Sequence, residues 1–189
     1  MDEASREQFE QAVLASFNQT IDANFRHAAL TSLTQLKQAE GGWRFCLDGL
    51  HQTQHVEVQF WCLQALCELV QQGRYAVFSA DEVASLQSAV FSWLERVSAS
   101  EPPFIKNKLA QLLVAIVEVD YPDRWPAFFA SLLGYLNQGD GAFDMFNRIL
   151  RTLHDEALSA ESGARTPERL PISTRIKDTM RADCMAHIV

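Results

Sequence analysis

The sequence has no stretch of useful length in which apolar and polar residues alternate with a period of two. Half-buried strands are therefore not expected, and helices must bury the apolar surface. No apolar run reaches about 18 residues, so no helical membrane span is predicted. The opening MDEASREQFEQ is polar and acidic and does not read as a signal peptide. There is no G-x-S-x-G, no glycine-rich phosphate loop and no metal triad, so neither a catalytic residue nor a cofactor is expected. His51 and His55 have a chelating spacing, but they straddle a predicted turn and lack a third ligand, so no metal site is assigned. None of the four cysteines forms a CxxC pair. Cys46, Cys62 and Cys67 fall on apolar stripes and read as reduced, buried thiols of a cytosolic or nuclear protein. Cations are in the minority, with 16 Lys+Arg against 24 Asp+Glu. Such a body disfavours free wrapping by nucleic acid and suits a partner with a basic patch.

What is present is 48% hydrophobic residues in 189, enough for a packed core. The charge is uneven. Residues 1–160 hold 20 acidic and 11 basic side chains, whereas residues 161–189 hold four and five. Apolar residues recur at helical spacing nearly throughout. Phe9, Val13 and Phe17 mark a first helix over about residues 4–18. Asp22 offers an N-cap to a helix carrying Phe25, Ala29, Leu33 and Leu36, which ends before Gly41-Gly42. Trp43, Cys46, Leu47 and Leu50 form a short partner helix, and His55 to Val70 a broadly apolar one. Ser79 and Glu82 form a capping box ahead of Val83, Leu86, Val90, Trp93, Leu94 and Val97.

Residues 104–129, FIKNKLAQLLVAIVEVDYPDRWPAFF, predict two helices and the corner between them. Leu109, Leu112, Leu113, Ile116 and Val117 stripe the first, which Tyr121-Pro122 stops. Pro122 and Pro126 fit the first turn of the second, over about 122–137, with Trp125, Phe128, Phe129, Leu132, Leu133 and Leu136 as its stripe. Phe143, Phe146, Ile149, Leu150 and Leu153 mark a further helix. Residues 159–172, SAESGARTPERLPI, read as a loop. Residues 173–189 read as the start of another helix, cut off while its stripe is still running.

The expectation is all-α. Antiparallel pairs open near Asp22, Gln54, Pro102 and Gly139, in steps of 32, 48 and 37 residues. An irregular period of about 40 belongs to HEAT and armadillo arrays, in which each pair covers its neighbour in an α-solenoid of two helical layers.

Phe104-Ile105-Lys106-Asn107-Lys108, followed by Tyr121-Pro122-Asp123-Arg124-Trp125-Pro126-Ala127-Phe128-Phe129, resembles the exportins of the importin-β, or karyopherin-β, superfamily. Ile176-Lys177-Asp178-Thr179-Met180-Arg181, with Cys184 after it, is similar to the exportin-T family, the tRNA exportins. Asp22 to Leu36 and Val56 to Leu66 fit that family's first helices. The resemblance implies the N-terminal part of a right-handed superhelix of HEAT-like pairs. Residues 1–100 would be importin-β N-terminal-type repeats, and 101–158 exportin-type repeats with the corner. It implies a monomeric receptor without enzymatic activity, cofactor or membrane contact. Ran-GTP, tRNA and nuclear pore proteins would be its partners, and it would shuttle between nucleus and cytoplasm. A karyopherin with protein cargo and a plain HEAT scaffold are the alternatives.

The family's Ran contact lies on the concave, second-helix layer, here about 42–52, 80–97 and 122–137. Asp48, Gln52, Ser88 and Glu95 lie off the stripes there and are the Ran-binding candidates. Arg148, Arg151, Arg175, Lys177 and Arg181 are the basic candidates for tRNA phosphates; pairing with Asp144, Asp155 and Asp178 is the alternative use of three of them. Asn107 is expected to hydrogen-bond the neighbouring repeat's backbone. Trp43, Trp61, Trp93 and Trp125 are read as core anchors, with about 3–5 kcal/mol expected for truncating Trp125.

Overall fold

The computed structural model describes residues 2–97, 99–158, 174, 176–179 and 181–182. Among them are helices and no strand. The helices are α1 (Glu3–Phe17), α2 (Ala23–Gln38), α3 (Gly42–Gln52), α4 (Val56–Gln71), α5 (Ala80–Arg96), α6 (Pro103–Asp120), α7 (Phe128–Tyr135) and α8 (Asp140–Thr152). A π-helical turn, Leu153–Leu158, follows α8. The expected 159–172 loop lies outside the described residues. The chain divides between Val90 and Phe91 into two compact units.

Helix starts follow local chemistry. Asp22 Oδ1 accepts from the N–H groups of Asn24 and Phe25 at 2.9 and 3.2 Å. At α5 the Glu82 carboxylate accepts from the Ser79 N–H and hydroxyl, both at 3.1 Å, and Ser79 Oγ accepts the Glu82 N–H at 3.3 Å. Two backbone N–H groups are thereby satisfied reciprocally by two side chains.

In the first unit the core gathers where α1, α3 and α4 meet. The Phe9 ring lies edge-on to Phe45 and Trp61, with centroids at 5.1 and 5.3 Å. Gly49 permits that approach: a Cβ there would stand 2.9 Å from the Phe9 ring and 3.3 Å from Cys62 Sγ. Cys46, Cys62 and Cys67 are free thiols in this core, and burial pushes the Cys62 thiol well above its ordinary range. Not every expected core residue is inside. Phe17 and Phe25 are exposed, because each sits in a terminal turn of its helix and the burial is left to Phe9, Val13, Ala29 and Leu33.

Helices two apart run parallel within a unit. Arg44 reaches Glu82 at 2.9 Å and His51 Nε2 lies 3.2 Å from the Ala89 carbonyl, a constant offset of 38 residues between α3 and α5. Between α2 and α4, Lys37 reaches Glu68 at 2.9 Å, and Thr34 and Ala65, three residues earlier, line one small cavity. In the second unit Lys106 and Asn107 of α6 reach Asp144 and Arg148 of α8. Phe91 and Leu94 of α5 meet Trp125 and Tyr135. Parallel helices two apart are the consequence of antiparallel pairs laid side by side, the HEAT-like solenoid arrangement.

The corner departs from expectation. α6 ends at Asp120 and the Tyr121–Pro122 bond is cis, but α7 starts only at Phe128 rather than near 122. Asp120 explains the delay. Its carbonyl accepts the N–H groups of Arg124 and Trp125, and its fully buried carboxylate accepts Arg124 Nε at 2.7 Å. The chain is held in a turn through Trp125. Trp125 is consequently half-buried, whereas Trp43, Trp61 and Trp93 are buried. α6 itself is buried on more than the expected stripe, with Ala110, Val114 and Ala115 inside as well. In α8 the buried set is Ala142, Met145 and Ile149, continued by Leu153, and Phe143 is exposed. The face toward α6 is set by Asp144 and Arg148, which turns Phe143 outward.

Candidate interaction surfaces

Two polar surfaces carry most of the predicted binding residues that the structure describes. The first lies on α3 and α5. Asp48 and Gln52, four apart on α3, are exposed, as is Ser88 on α5. His51 beside Gln52 meets Ala89 beside Ser88, so these residues occur on neighbouring parallel helices of one unit. Glu95 is also exposed, seven residues along α5 from Ser88 and in the second unit. The surface is held by the Arg44–Glu82 ion pair. The Glu82 carboxyl lies below its ordinary value, chiefly through the Ser79 hydrogen bonds and secondarily through Arg44. Arg44 also lies against the Trp43 ring, 4.5 Å from its centroid.

The second surface is a cleft of about 520 Å³ lined by residues of α6, α8 and the turn after it. A joint of four side chains spans its helices. Lys106, only 5% exposed, donates to the Ala99 carbonyl at 2.7 Å and to Asp144 Oδ2 at 3.1 Å. Arg148 donates to Asp144 Oδ1 at 2.9 Å and to Asn107 Oδ1 at 2.6 Å. Burial by itself would raise the Asp144 carboxyl. The hydrogen bonds from Lys106 and Arg148, with their charges, outweigh it and hold the carboxyl below its ordinary value.

Arg148 and Arg151 both line this cleft. Arg148 is committed to the joint, and Arg151 stands 3.8 Å from Asp155 with most of its side chain exposed. Arg181 is exposed, 3.8 Å from Asp178, and Lys177 is half-buried. Arg175 lies outside the described residues. Asn107 does tie α6 to α8, but through a side chain; the backbone bond belongs to Lys106 and Ala99. The Arg148–Asp144 pair is the alternative that the sequence offered for this arginine, whereas the part Lys106 takes in the joint was not read from the sequence. Its signal is an opposite charge 38 residues from Lys106, the same offset that separates Arg44 from Glu82.

Residues 102–189 match a family model described as Exportin 1-like protein. Exportin-T of Arabidopsis thaliana is 34% identical over 189 residues, covering 95% of this chain and 19% of its own. Exportin-T of Dictyostelium discoideum is 34% identical over 185 residues, covering 97% and 17%. Exportin-T of Homo sapiens is 30% identical over 185 residues, covering 95% and 19%. The chain spans about a fifth of the length of these relatives. Parallel joints at repeat spacing, the Asp120-latched corner and this similarity along nearly the whole chain converge: the chain belongs to the exportin-T family of the karyopherin-β superfamily.

Proposed function

We propose that this chain is the Ran-binding part of a nuclear export receptor for tRNA. The observation that carries the reading is similarity to exportin-T over 95% of the chain, with the F-I-K-N-K helix and the Y-P-x-x-W-P-x-F-F corner both in place. Residues 1–100 are importin-β N-terminal-type repeats and 101–158 exportin-type repeats. Asp48, Gln52 and Ser88 of the first unit meet a basic patch on GTP-loaded Ran, and Glu95 of the second unit is a further Ran-binding candidate. The acidic body, net −8, steers that encounter. tRNA phosphates are met by Arg151, Lys177 and Arg181, with Arg175 as a further candidate and Arg148 holding the joint beside them. Contacts to phosphate alone give affinity without base readout, which suits a carrier of every tRNA.

Loading and release follow from linkage. Whatever factor Ran-GTP adds to tRNA affinity, tRNA adds to Ran-GTP affinity. Hydrolysis on Ran in the cytoplasm removes one partner and weakens the other. The receptor is a monomer, is not itself an enzyme, and shuttles by way of nuclear pore proteins.

Pull-down with Ran carrying GTP or GDP tests the reading. Capture of the GTP form alone is expected, and capture indifferent to nucleotide overturns it. With the complete receptor, total tRNA should raise Ran-GTP affinity; an unchanged affinity removes tRNA as cargo.

A further inference from the structure

The α3–α5 surface of the first unit is acidic, yet a single cation stands in it. With histidine neutral, residues 42–52 and 80–90 carry Asp48, Asp81 and Glu82 against Arg44 alone. Arg44 lies one helical turn before Asp48 on α3, and both are exposed. Glu82 takes one of the five N–H bonds of Arg44, at 2.9 Å. Among the described residues the guanidinium makes no other hydrogen bond, and 57% of the side chain is exposed. We propose that Arg44 is a specificity-determining residue of this surface, receiving a carboxylate that GTP-loaded Ran presents beside its basic patch. That role presupposes the Ran contact proposed above.

Stability does not account for Arg44, because an ion pair between exposed side chains contributes little. Its orientation is what the structure fixes. The Trp43 ring, 4.5 Å from the guanidinium, and the Glu82 carboxylate hold it from two directions, so little freedom is lost when a partner arrives. The unspent N–H groups leave room for two parallel bonds to one carboxylate.

The surrounding acids decide where that carboxylate comes from. A free phosphate or other small polyanion is repelled by Asp48, Asp81 and Glu82. A carboxylate flanked by lysines or arginines is not, since its neighbours meet those same acids. Register follows from the mixture of signs. Carboxylates alone attract a basic patch at many offsets. With Arg44 among them, sliding the patch by one helical turn, about 5.4 Å, sets a partner cation against a guanidinium.

Equilibrium binding of the full chain to Ran carrying GTP tests this, because the sign of the effect is diagnostic. If Arg44 merely interrupts an acidic face, its removal relieves a repulsion and binding tightens. Arg44→Gln should instead weaken binding about tenfold, through loss of a charge-assisted pair. Arg44→Lys keeps the charge without the fork and should recover part of that loss. Glu82→Gln breaks the same ion pair but leaves the guanidinium in place, and should change affinity by less than about threefold. Melting curves that match the parent's will show that the variants fold. Arg44→Gln binding as tightly as the parent, or more tightly, overturns the proposal. So does Glu82→Gln weakening binding as much as Arg44→Gln, which would reduce Arg44 to a spacer between α3 and α5. A parent chain with no preference for GTP-loaded Ran overturns the Ran contact and this role with it, whereas GTP-selective binding untouched by Arg44→Gln overturns this role alone.

Discussion

Lys106 keeps a full charge almost out of water because the Ala99 carbonyl and the Asp144 carboxylate take two of its N–H bonds. Lys106→Ala leaves that carbonyl unmet and should destabilise by about 1–3 kcal/mol in urea unfolding. Lys106→Met keeps the apolar stem and should lose less than Lys106→Ala. Asp144 sets an acid limit. Its carboxyl is held below the ordinary 3.8 in the folded state, so in that range the unfolded chain binds more protons than the folded one. Its contribution is complete above 3.8 and is lost as pH falls through the lower folded value. Urea midpoints taken down through that range should fall less steeply for Asp144→Asn than for the parent. Trp93 and Trp125 separate burial from pattern. Trp93→Ala should cost about 3–5 kcal/mol, and Trp125→Ala about 1–2, since part of its ring already meets water. The spacing gave both the same rank. Periodicity presumes that a helix has begun, and at Trp125 a carboxylate-held turn is still in progress.

At the scale of the element, glycines report which helix faces are crowded. Gly49→Ala would press a methyl against Phe9 and Cys62 and should destabilise by about 1–3 kcal/mol. Gly134, inside α7, has open space where a methyl would stand, with no atom beyond its chain neighbours and the helix's own backbone within 4 Å of that position. Gly134→Ala should therefore stabilise by about 0.5–1 kcal/mol. Thermal or urea melts of the two variants should move in opposite directions. Element existence was legible because caps and stripes are local: Asp22, the Ser79–Glu82 box and the stop at Tyr121 all stand where the sequence put them. The face of α8 was not legible. Phe143 is the more apolar choice, but the Lys106 and Asn107 partners on another helix fix the rotation, and the stripe moves to Ala142, Met145 and Ile149.

At the scale of the molecule, the all-α array was legible from the repeat spacing. The binding surfaces were not, because exposed polar residues have no periodic constraint. Asp48, Gln52, Ser88 and Glu95 are simply outside, and their partner decides their meaning. Since this chain is about a fifth of its relatives' length, it should bind tRNA weakly by itself. A filter-binding dissociation constant below about 1 μM would contradict a cargo held mainly by other repeats. The division between the two compact units falls inside α5, with eleven of its residues before the break and six after it. A boundary of this kind offers a protease no loop to enter. Limited digestion should spare the Val90–Phe91 bond, and any fragments made by cutting there would each carry a severed helix with its apolar side open to water, the first with unpaired carbonyls at its end and the second with unpaired N–H groups at its start.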